Sequence, residues 1–328
     1  MANERYGNKY VVLIGHETSY GTQQKTPTAN LYSNCVMKES TNQIETGIKN
    51  GNTEKWKNEL LAGTKSGTVT LSGELSLEDT SSAPTGYGAL LAAFFMRAGD
   101  GTFDASDYTT PSAGSTESFT IYQYFTADDN YDYATGCVPE SLEITGSSGE
   151  AITFSMTFRA KEITRETEDA SPNELSVTTT YSDITPLLFQ HASLDKCLGA
   201  TDLDVMNSFT LTLNFSYVDD AMIYNNSQTK DQDIFCRFTG NLTVDLNYSD
   251  VNSKDAYDNI MSADLKDGEI SLYDSAGSNS WKFTTNGKVT DYDRPDPDRC
   301  IFANSFTKEL LGDDAPTSAI TISYNAGT

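Results

Sequence analysis

The densest group of potential metal ligands in this sequence lies at residues 291–298, where four of the eight residues are aspartates. They are Asp291, Asp293, Asp296 and Asp298. Hard cations such as Ca²⁺ take several carboxylate oxygens from a loop of this kind. The segment lacks the glycine and the terminal glutamate of an EF-hand loop, and it contains two prolines. Two interpretations therefore stay open, a calcium loop and a solvated turn after a strand.

The residue types that catalysis uses most are scarce or unpaired in this chain. Histidine occurs only at His16 and His191, which lie far apart, and no acidic or nucleophilic residue pairs convincingly with either to complete a catalytic triad. Phosphate-binding, dinucleotide-binding and serine-hydrolase motifs are absent from the sequence. Carboxylates are abundant, but no pair stands out as the acid and base of a glycosidase. The sequence therefore predicts a protein that is not an enzyme and holds no cofactor, and a hydrolase with an acidic cleft is the least favoured alternative.

The charge of the chain is strongly acidic. There are 47 acidic and 22 basic residues, which gives a formal net charge of -25. Such a charge repels nucleic acid and argues against a protein that binds DNA or RNA. Three interpretations remain open: solubility at high concentration, a salty environment, or a surface that faces a polyanion without holding it.

Cysteine usage and hydropathy favour a protein made in a cytoplasm. The five cysteines include no C-x-x-C pair, and Cys35, Cys137 and Cys236 lie near predicted strands, which is typical of reduced thiols in a core. No segment of signal-peptide type follows Met1. No apolar run approaches the 18 or so residues that a transmembrane helix needs, so we expect no membrane association.

Alternation of apolar and polar residues predicts strands through most of the chain. The alternation is clearest in residues 68–77 and 209–217, which are rich in Thr, Leu, Val and Phe. Only two short helices are predicted, at residues 87–95 and 256–265. The predicted fold class is therefore all-β with two short helices.

The strand pattern occurs twice. Residues 72–79 and 239–246 have closely similar sequences, and each is followed by one of the short helices and then by a further strand. This order predicts a tandem duplication of a β-sandwich or barrel module. We place the first module with its N-terminal arm at residues 1–164, a linker at 165–176, and the second module at 177–328.

Two long polar stretches occupy corresponding places in the two predicted modules. Residues 42–67 precede the matching strand of the first, and residues 221–233 precede that of the second. Loops of this length without structure are unusual inside a compact domain. Disorder and contact with another subunit are both open, and we favour contact.

The start of the chain resembles a known family. Gly15, Glu17, Tyr20, Gly21 and Thr22 form a G-x-E-x-x-Y-G-T pattern similar to the opening common in phage tail tube proteins. The order of the later segments is also similar, including residues 137–142 before the strand at 152–159. The second half has no clear match to residues 137–142.

The resemblance implies a structural virion protein, the major tail tube subunit, made in the host cytoplasm and located in the tail. In this family, β-sandwich domains join edge to edge into rings, and stacked rings form a hollow conduit for DNA ejection. For a duplicated chain it implies a ring of three subunits with pseudo-sixfold symmetry, although a hexamer stays open. The implied partners are further copies of the chain and other tail proteins, namely the tape measure, the tail terminator and the distal tail protein. DNA is expected to pass an acidic lumen without specific binding.

Contacts between rings are expected from the N-terminal arm through Thr22 and from the two polar loops. The residues that we single out for these contacts are Tyr20, Thr22, Lys49, Lys55, Trp56, Lys57, Tyr224, Asn226 and Lys230. The main alternative function is a secreted or surface-displayed β-sandwich binding module, which would bind calcium at residues 291–298 and recognise carbohydrate.

Overall fold

The computed structural model describes residues 10–27, 29–31, 33–45, 60–78, 90–91, 94–95, 108–109, 117–125, 130–165, 175, 184–195, 206–217, 235–247, 265–277, 280–293, 303–311 and 319–325. Within these residues the chain forms eighteen strands, and every pairing between them is antiparallel. The strands of the first half are β1 (Tyr10–His16), β2 (Ala29–Leu31), β3 (Asn34–Glu45), β4 (Leu60–Glu74), β5 (Ser76–Glu78), β6 (Tyr108–Thr109), β7 (Phe119–Phe125), β8 (Asn130–Ser147), β9 (Thr153–Ala160) and β10 (Glu162–Arg165). The strands of the second half are β11 (Ile184–Pro186), β12 (Ala192–Asp195), β13 (Met206–Tyr217), β14 (Phe235–Asn247), β15 (Lys266–Tyr273), β16 (Ser280–Asp293), β17 (Ala303–Leu310) and β18 (Ile320–Asn325).

Helical structure is sparse in the described residues, as the sequence predicts. A 3-10 turn spans Phe189–His191. Leu90, Leu91 and Phe94 are helical, and the Phe95 amide donates a hydrogen bond of 3.0 Å to the Leu91 carbonyl, as expected for the first predicted helix. The second predicted helix lies outside the described residues apart from Leu265, which is not helical. No helix within the described ranges is long and apolar enough to cross a membrane.

Sixteen strands form one open sheet network, and β5 and β11 form a separate two-stranded sheet. The long strands β8 and β16 each belong to two layers. The first part of β8 pairs with β7 and β10, while its second part pairs with β9 and β13. In the same way, the first part of β16 pairs with β15 and β18, and its second part pairs with β17. Each half is thus a two-layer β sandwich, which confirms the predicted fold class.

The two halves repeat the same strand pairing. In the first half the order is β3-β4-β9-β8-β7-β1, and in the second it is β13-β14-β17-β16-β15-β12. The register shift in β8 lies between Pro139 and Ser141, and the one in β16 lies between Val289 and Asp291, 150 residues further along (139 to 289). The two halves therefore share the position of a β-bulge as well as the order of their strands, although a similar strand order alone does not require a shared bulge. The fold is therefore a tandem duplication.

The repeat is aligned differently from the sequence prediction. Gly67 pairs with Ala160, and Gly240 pairs with Leu310 at the equivalent position of the second half. Both glycines are crowded, because a Cβ would lie 3.2 Å from the Ala160 Cβ or 2.9 Å from Leu310 Cδ1. The sequence comparison instead matched Gly73 with Gly240, six residues away. Alternation has a period of two, so an even shift preserves the faces and pattern alone could not detect it.

One apolar core runs through both halves. It includes Val12 and Ile14 of β1, Phe158 of β9, and Trp281 and Phe283 of β16, all buried. The first and second halves are also joined by backbone pairing, most extensively between β8 and β13. The proposed linker at 165–176 lies outside the described residues except for its first residue and Leu175. The domain boundaries therefore stay a prediction.

Two of the three described cysteines are core residues, as predicted. Cys35 and Cys137 are buried, and burial raises the pKa of the Cys35 thiol to about 12, with a smaller contribution from Asp132. Burial also raises the pKa of Cys137 well above its ordinary value. Both thiols therefore stay protonated at neutral pH. The prediction is wrong for Cys236, which is exposed because β14 continues there beyond its pairing with β17.

Candidate functional site

The largest candidate surface is one face of eight consecutive strands, in the order β3-β4-β9-β8-β13-β14-β17-β16. Along each strand, residues that point to the core alternate with residues that point to the opposite side, which we call the polar face. In β9, for example, Phe154, Met156 and Phe158 are buried, whereas Ser155 and Thr157 are not. The duplication places four of these strands in each half, so the polar face is continuous across the whole chain.

Hydroxyl side chains dominate the polar face. Its uncharged members in the central strands are Ser66, Thr68, Thr70, Ser72, Ser141, Thr145, Ser147, Thr153, Ser155, Thr157, Ser208, Thr210, Thr212, Asn214, Ser216, Thr239, Asn241, Thr243, Ser305 and Thr307. Neighbouring strands are linked through some of these groups, since Ser208 Oγ lies 2.6 Å from Asp245 Oδ2 and Thr243 Oγ1 lies 3.2 Å from Thr307 Oγ1. Short side chains on this face thus hydrogen-bond to one another across neighbouring strands.

The charges on the polar face nearly balance. The carboxylates at described positions are Glu74, Glu140, Glu143, Asp245, Asp291 and Glu309, and the cations are Lys38, Arg159, Arg237 and Lys288. The strong net charge of the chain is therefore not concentrated here. Overall composition does not determine which face of a strand carries the acidic residues.

The junction between the halves lies at the middle of this surface. Residues of β13 pair with β8 from Ser208 opposite Ser147 to Asn214 opposite Ser141. On the core side, Leu213 lies opposite Leu142, and both are fully buried. Burial of one such leucine stabilises the folded state by about 1.5–3 kcal/mol. The two halves are thus fused edge to edge through a well-packed strand pair.

The two ends of the eight-stranded surface are open among the described residues. There, β3 pairs with one strand only, β4, although the Cys35 amide near its start donates a hydrogen bond of 2.9 Å to Tyr10 Oη. Residues Lys288 to Asp293 of β16 likewise pair on one side only, with β17, since β15 begins opposite Gly287. Edge strands with free backbone groups invite pairing with another chain. Lys38 and Asp291 are exposed on these two edges, where charge discourages indiscriminate association.

Two hairpins extend beyond the three-stranded part of the sheet. Pairing of β3 with β4 continues to Glu45 opposite Leu60, although β9 accompanies β4 only from Gly67. Pairing of β13 with β14 likewise continues to Tyr217 opposite Phe235. Much of the first predicted polar loop is therefore strand. The connections at 46–59 and 218–234 join equivalent hairpins, and they carry the predicted contact residues Lys49, Lys55, Trp56, Lys57, Tyr224, Asn226 and Lys230, all outside the described residues.

Glu17 forms a buried centre of hydrogen bonds that the sequence did not reveal. It is 4% exposed. Its Oε2 accepts hydrogen bonds from Ser118 Oγ at 2.6 Å and from the Gly21 amide at 2.7 Å. Its Oε1 accepts from Thr120 Oγ1 and from the Gly136 amide, each at 2.9 Å. All four partners donate, which suits an ionised carboxylate that can only accept.

The glycines at this centre have backbone geometry that other residues rarely adopt. Gly21 has a φ of 75° and Gly136 a φ of 61°. A Cβ at either position would also come within 2.6 Å of the Lys161 side chain. The G-x-E-x-x-Y-G-T pattern thus has a structural meaning here: it ties the end of β1 to β7 and to the bend of β8.

Of the predicted inter-ring residues, only Tyr20 and Thr22 are described. The ring of Tyr20 packs within its own subunit, with Lys161 Nζ 5.2 Å from its centroid. Thr22 is exposed, and its amide donates to the Ser19 carbonyl at 2.9 Å. Strand β1, which precedes them, pairs with β7 and β2, so residues 10–16 belong to the sheet rather than to a free arm. Contact of Tyr20 or Thr22 with a neighbouring ring stays a prediction.

The candidate metal loop is described only in part. Asp291 is exposed in β16, and Asp293 is the last residue of that strand. Asp296 and Asp298 lie outside the described residues. Among the residues that the structure describes, no group of three or more potential ligands is close enough to hold a metal ion.

The two histidines lie in separate and ordinary surroundings. His16 lies against Phe119, and its Nε2 is 3.8 Å from Glu117 Oε2. His191 Nε2 is 3.2 Å from Gln190 Nε2. Neither arrangement brings a nucleophile to the imidazole.

Comparison with known proteins gives one family. A family model described as phage tail tube protein matches residues 7–326, nearly the whole chain. No curated protein matches the chain.

Proposed function

Because the chain belongs to the phage tail tube proteins, a structural family of the virion tail, we propose that its subunits join edge to edge into rings and that stacked rings form the conduit for viral DNA. The observation that carries this proposal is the continuous polar face, which ends in two open strand edges. A closed ring would satisfy both edges at once, since each subunit offers one edge to each neighbour. The polar face would then line the bore.

Strand number supports a ring of three subunits. Each subunit supplies eight strands to the surface, so three subunits would supply three times eight, or 24. At a spacing of about 4.8 Å, such a sheet has a circumference of about 115 Å and a diameter of about 37 Å before strand tilt widens it. Such a bore leaves room for duplex DNA inside the side chains. The two fused halves of each chain would give the ring pseudo-sixfold symmetry.

The composition of the polar face suits passage of DNA without capture. Strong binding of the phosphate backbone needs clustered Lys and Arg, because counterion release scales with the number of phosphates neutralised. The described part of the face instead carries four cations beside six carboxylates, dispersed among hydroxyl groups. We therefore propose that DNA slides because the surface offers it few attachment points, rather than because a strongly acidic lining repels it.

The loops at 46–59 and 218–234 are the proposed contacts between stacked rings. Both extend from hairpins at equivalent positions in the duplicated fold, so a ring of three would present six of them at one end. Lys49, Lys55, Lys57 and Lys230 lie in these loops of an otherwise acidic chain. They would pair with acidic residues of the adjacent ring. The ends of the completed tube would meet other tail proteins, such as the terminator and the distal tail protein, and the tape measure would occupy the bore before ejection.

Electron microscopy of the purified protein at increasing concentration tests this function. We expect rings with a central hole that stack into tubes of uniform width as the concentration rises. Because ring closure requires edge pairing rather than a metal, EDTA should leave the rings unchanged. A protein that stays monomeric at every concentration tested, or that forms solid aggregates without a bore, would contradict the proposal.

A further inference from the structure

We propose that the pairing of β13 with β8 inside one chain is repeated between subunits, with β3 of one subunit pairing antiparallel with the end of β16 of the next in the same register. The inference rests on the proposed ring function and specifies its lateral joint. The partner is a second copy of this chain. The in-chain junction thus serves as the template for the joint between chains.

Strand β3 is the counterpart of β13 in the duplicated fold. Ser40 of β3 pairs with Ser66, the residue before Gly67. Asn214 of β13 pairs with Thr239, the residue before Gly240. Since Gly67 and Gly240 are equivalent, Ser40 corresponds to Asn214. Strand β13 pairs with β8 on the side away from β14, whereas the corresponding edge of β3 has no described strand beside it.

The end of β16 is likewise the counterpart of the end of β8. Ser141 follows the register shift of β8 and pairs with Thr157. Asp291 follows the shift of β16 and pairs with Thr307, so both residues of the pair are displaced by the same 150 positions (141 to 291, 157 to 307). The free side of Ser141 pairs with Asn214 of β13. The same side of Asp291 has no strand beside it in the described residues.

Transferring the in-chain register gives specific pairs between subunits. Asn214 lies opposite Ser141, which places Ser40 opposite Asp291 of the next subunit. Thr212 lies opposite Glu143, which places Lys38 opposite Asp293. All eight strands alternate in direction, so β3 and β16 meet in antiparallel orientation, as the register requires.

Charge complementarity supports this register. Lys38 would lie directly opposite Asp293 and diagonal to Asp291, and opposite charges on neighbouring strands stabilise their pairing. Glu39 would lie opposite Tyr292, at the position where the in-chain junction has two leucines. The joint between subunits is therefore less apolar than the joint within one chain. This suits subunits that must remain soluble before they assemble.

A cysteine pair tests the register directly. We would replace Ser40 and Asp291 by cysteine in a background with Cys197, Cys236 and Cys300 changed to serine. Within one subunit these positions lie at opposite ends of the eight-stranded surface, about 34 Å apart at the usual strand spacing, so any disulfide must join two chains. We expect mild oxidation of assembled protein to link most chains covalently. The matched control pairs Ser40→Cys with Asp293→Cys; these positions would be about 7–8 Å apart, too far for an unstrained disulfide, and we expect at least about fivefold less cross-linking.

Charge reversal gives an independent test of the same pairs. Lys38→Glu would face two aspartates, and we expect the concentration needed for ring formation to rise about tenfold or more. Adding Asp293→Lys to that variant should restore assembly, which also shows that the single variant folds. Arg237→Glu, the same charge change on β14 inside the polar face, is the control and should leave ring formation unchanged within about twofold.

Mixing two single variants then counts the subunits. Lys38→Glu and Asp293→Lys subunits satisfy every joint only when they alternate around the ring. Alternation closes a ring with an even number of subunits and leaves one mismatched joint in a ring of three. With three subunits we expect the mixture to assemble much less well than the double variant, and equal assembly would indicate an even-numbered ring.

The results of these experiments distinguish the proposed joint between subunits from the proposed tube function. Rings that form normally but cross-link equally in both cysteine pairs, or that ignore the charge reversal, would overturn the proposed joint and leave the tube function standing. Absence of rings from the unmodified protein would overturn the function itself. Preferential cross-linking of Ser40→Cys with Asp291→Cys, together with rescue by Asp293→Lys, is the result that we expect.

Discussion

Glu17→Gln is expected to lower the free energy of unfolding by about 2–4 kcal/mol, because a buried acceptor of four hydrogen bonds is replaced by a group that is partly a donor. One carboxylate oxygen becomes an NH₂ group that faces two donors, either Ser118 and the Gly21 amide or Thr120 and the Gly136 amide. Whichever way the amide turns, two buried donors lose their acceptor. Chemical denaturation measures the effect. The Lys38→Glu background would keep the protein dissociated, so that assembly does not add to the measured stability.

The control for this prediction is Glu150→Gln, which makes the same chemical change at an exposed turn. We expect that variant to differ from its parent by no more than about 0.5 kcal/mol. If Glu17→Gln unfolded at the same denaturant concentration as Glu150→Gln, the hydrogen bonds of Glu17 would not hold β1, β7 and β8 together as described.

Replacing residues 46–59 by Asn-Gly is expected to leave rings intact and to abolish tubes. The ladder of β3 and β4 ends with Glu45 opposite Leu60, so a two-residue turn can connect the strands without disturbing the fold. The change removes Lys49, Lys55, Trp56 and Lys57, four of the seven loop residues proposed to contact the adjacent ring. Sedimentation should then show single rings at concentrations at which the parent protein forms tubes. Thermal unfolding of the rings should be unchanged or slightly raised, because a shorter loop costs less entropy to close.

A second variant separates loop length from side-chain contacts. It replaces residues 46–59 by a Gly/Ser segment of equal length, which preserves reach but removes the charged and aromatic groups. We expect it to resemble the shortened variant. Tubes of normal length from both variants would contradict the role assigned to this loop.

The sequence predicted the class and the duplication of the fold but not the detailed alignment of the repeat. Alternation in β4 and β14 identified both strands and their core faces. It could not distinguish Gly67 from Gly73 as the counterpart of Gly240, because either choice keeps the same residues inward. The correct choice depends on pairing with Ala160 and Leu310, which are distant in sequence.

Long-range contacts also explain why the role of Glu17 escaped sequence analysis. The G-x-E-x-x-Y-G-T motif around Glu17 is visible in the sequence, yet the partners Ser118, Thr120 and Gly136 are about a hundred residues away in the chain. A single sequence gives no signal for such contacts. Similarly, the end of β3 and the start of β4 resemble a loop in sequence because they extend beyond β9, and no third strand pairs with them there among the described residues.

Composition predicts the charge of the molecule but not where the charged residues lie. The net charge is -25, whereas the described polar face has a small net charge and many hydroxyl groups. In the sequence alone, hydroxyl residues on a strand indicate only a solvated side. These residues form one continuous face only because eight strands join into one surface through the junction between β8 and β13.

The most direct test of the central claim is protection of the polar face from a large thiol reagent on assembly. Thr243 lies on β14 near the middle of that face, and Ala276 lies at the exposed turn between β15 and β16. Each would be replaced by cysteine in a separate variant. Both would be made in the background lacking Cys197, Cys236 and Cys300, and labelled with a polymer-linked maleimide as monomer and as tube. We predict that Thr243→Cys is labelled readily in the monomer and at least about tenfold more slowly in tubes, because the surrounding sheet closes over it, whereas Ala276→Cys reacts equally in both. Equal labelling of Thr243→Cys in monomer and tube would show that the polar face does not line the bore.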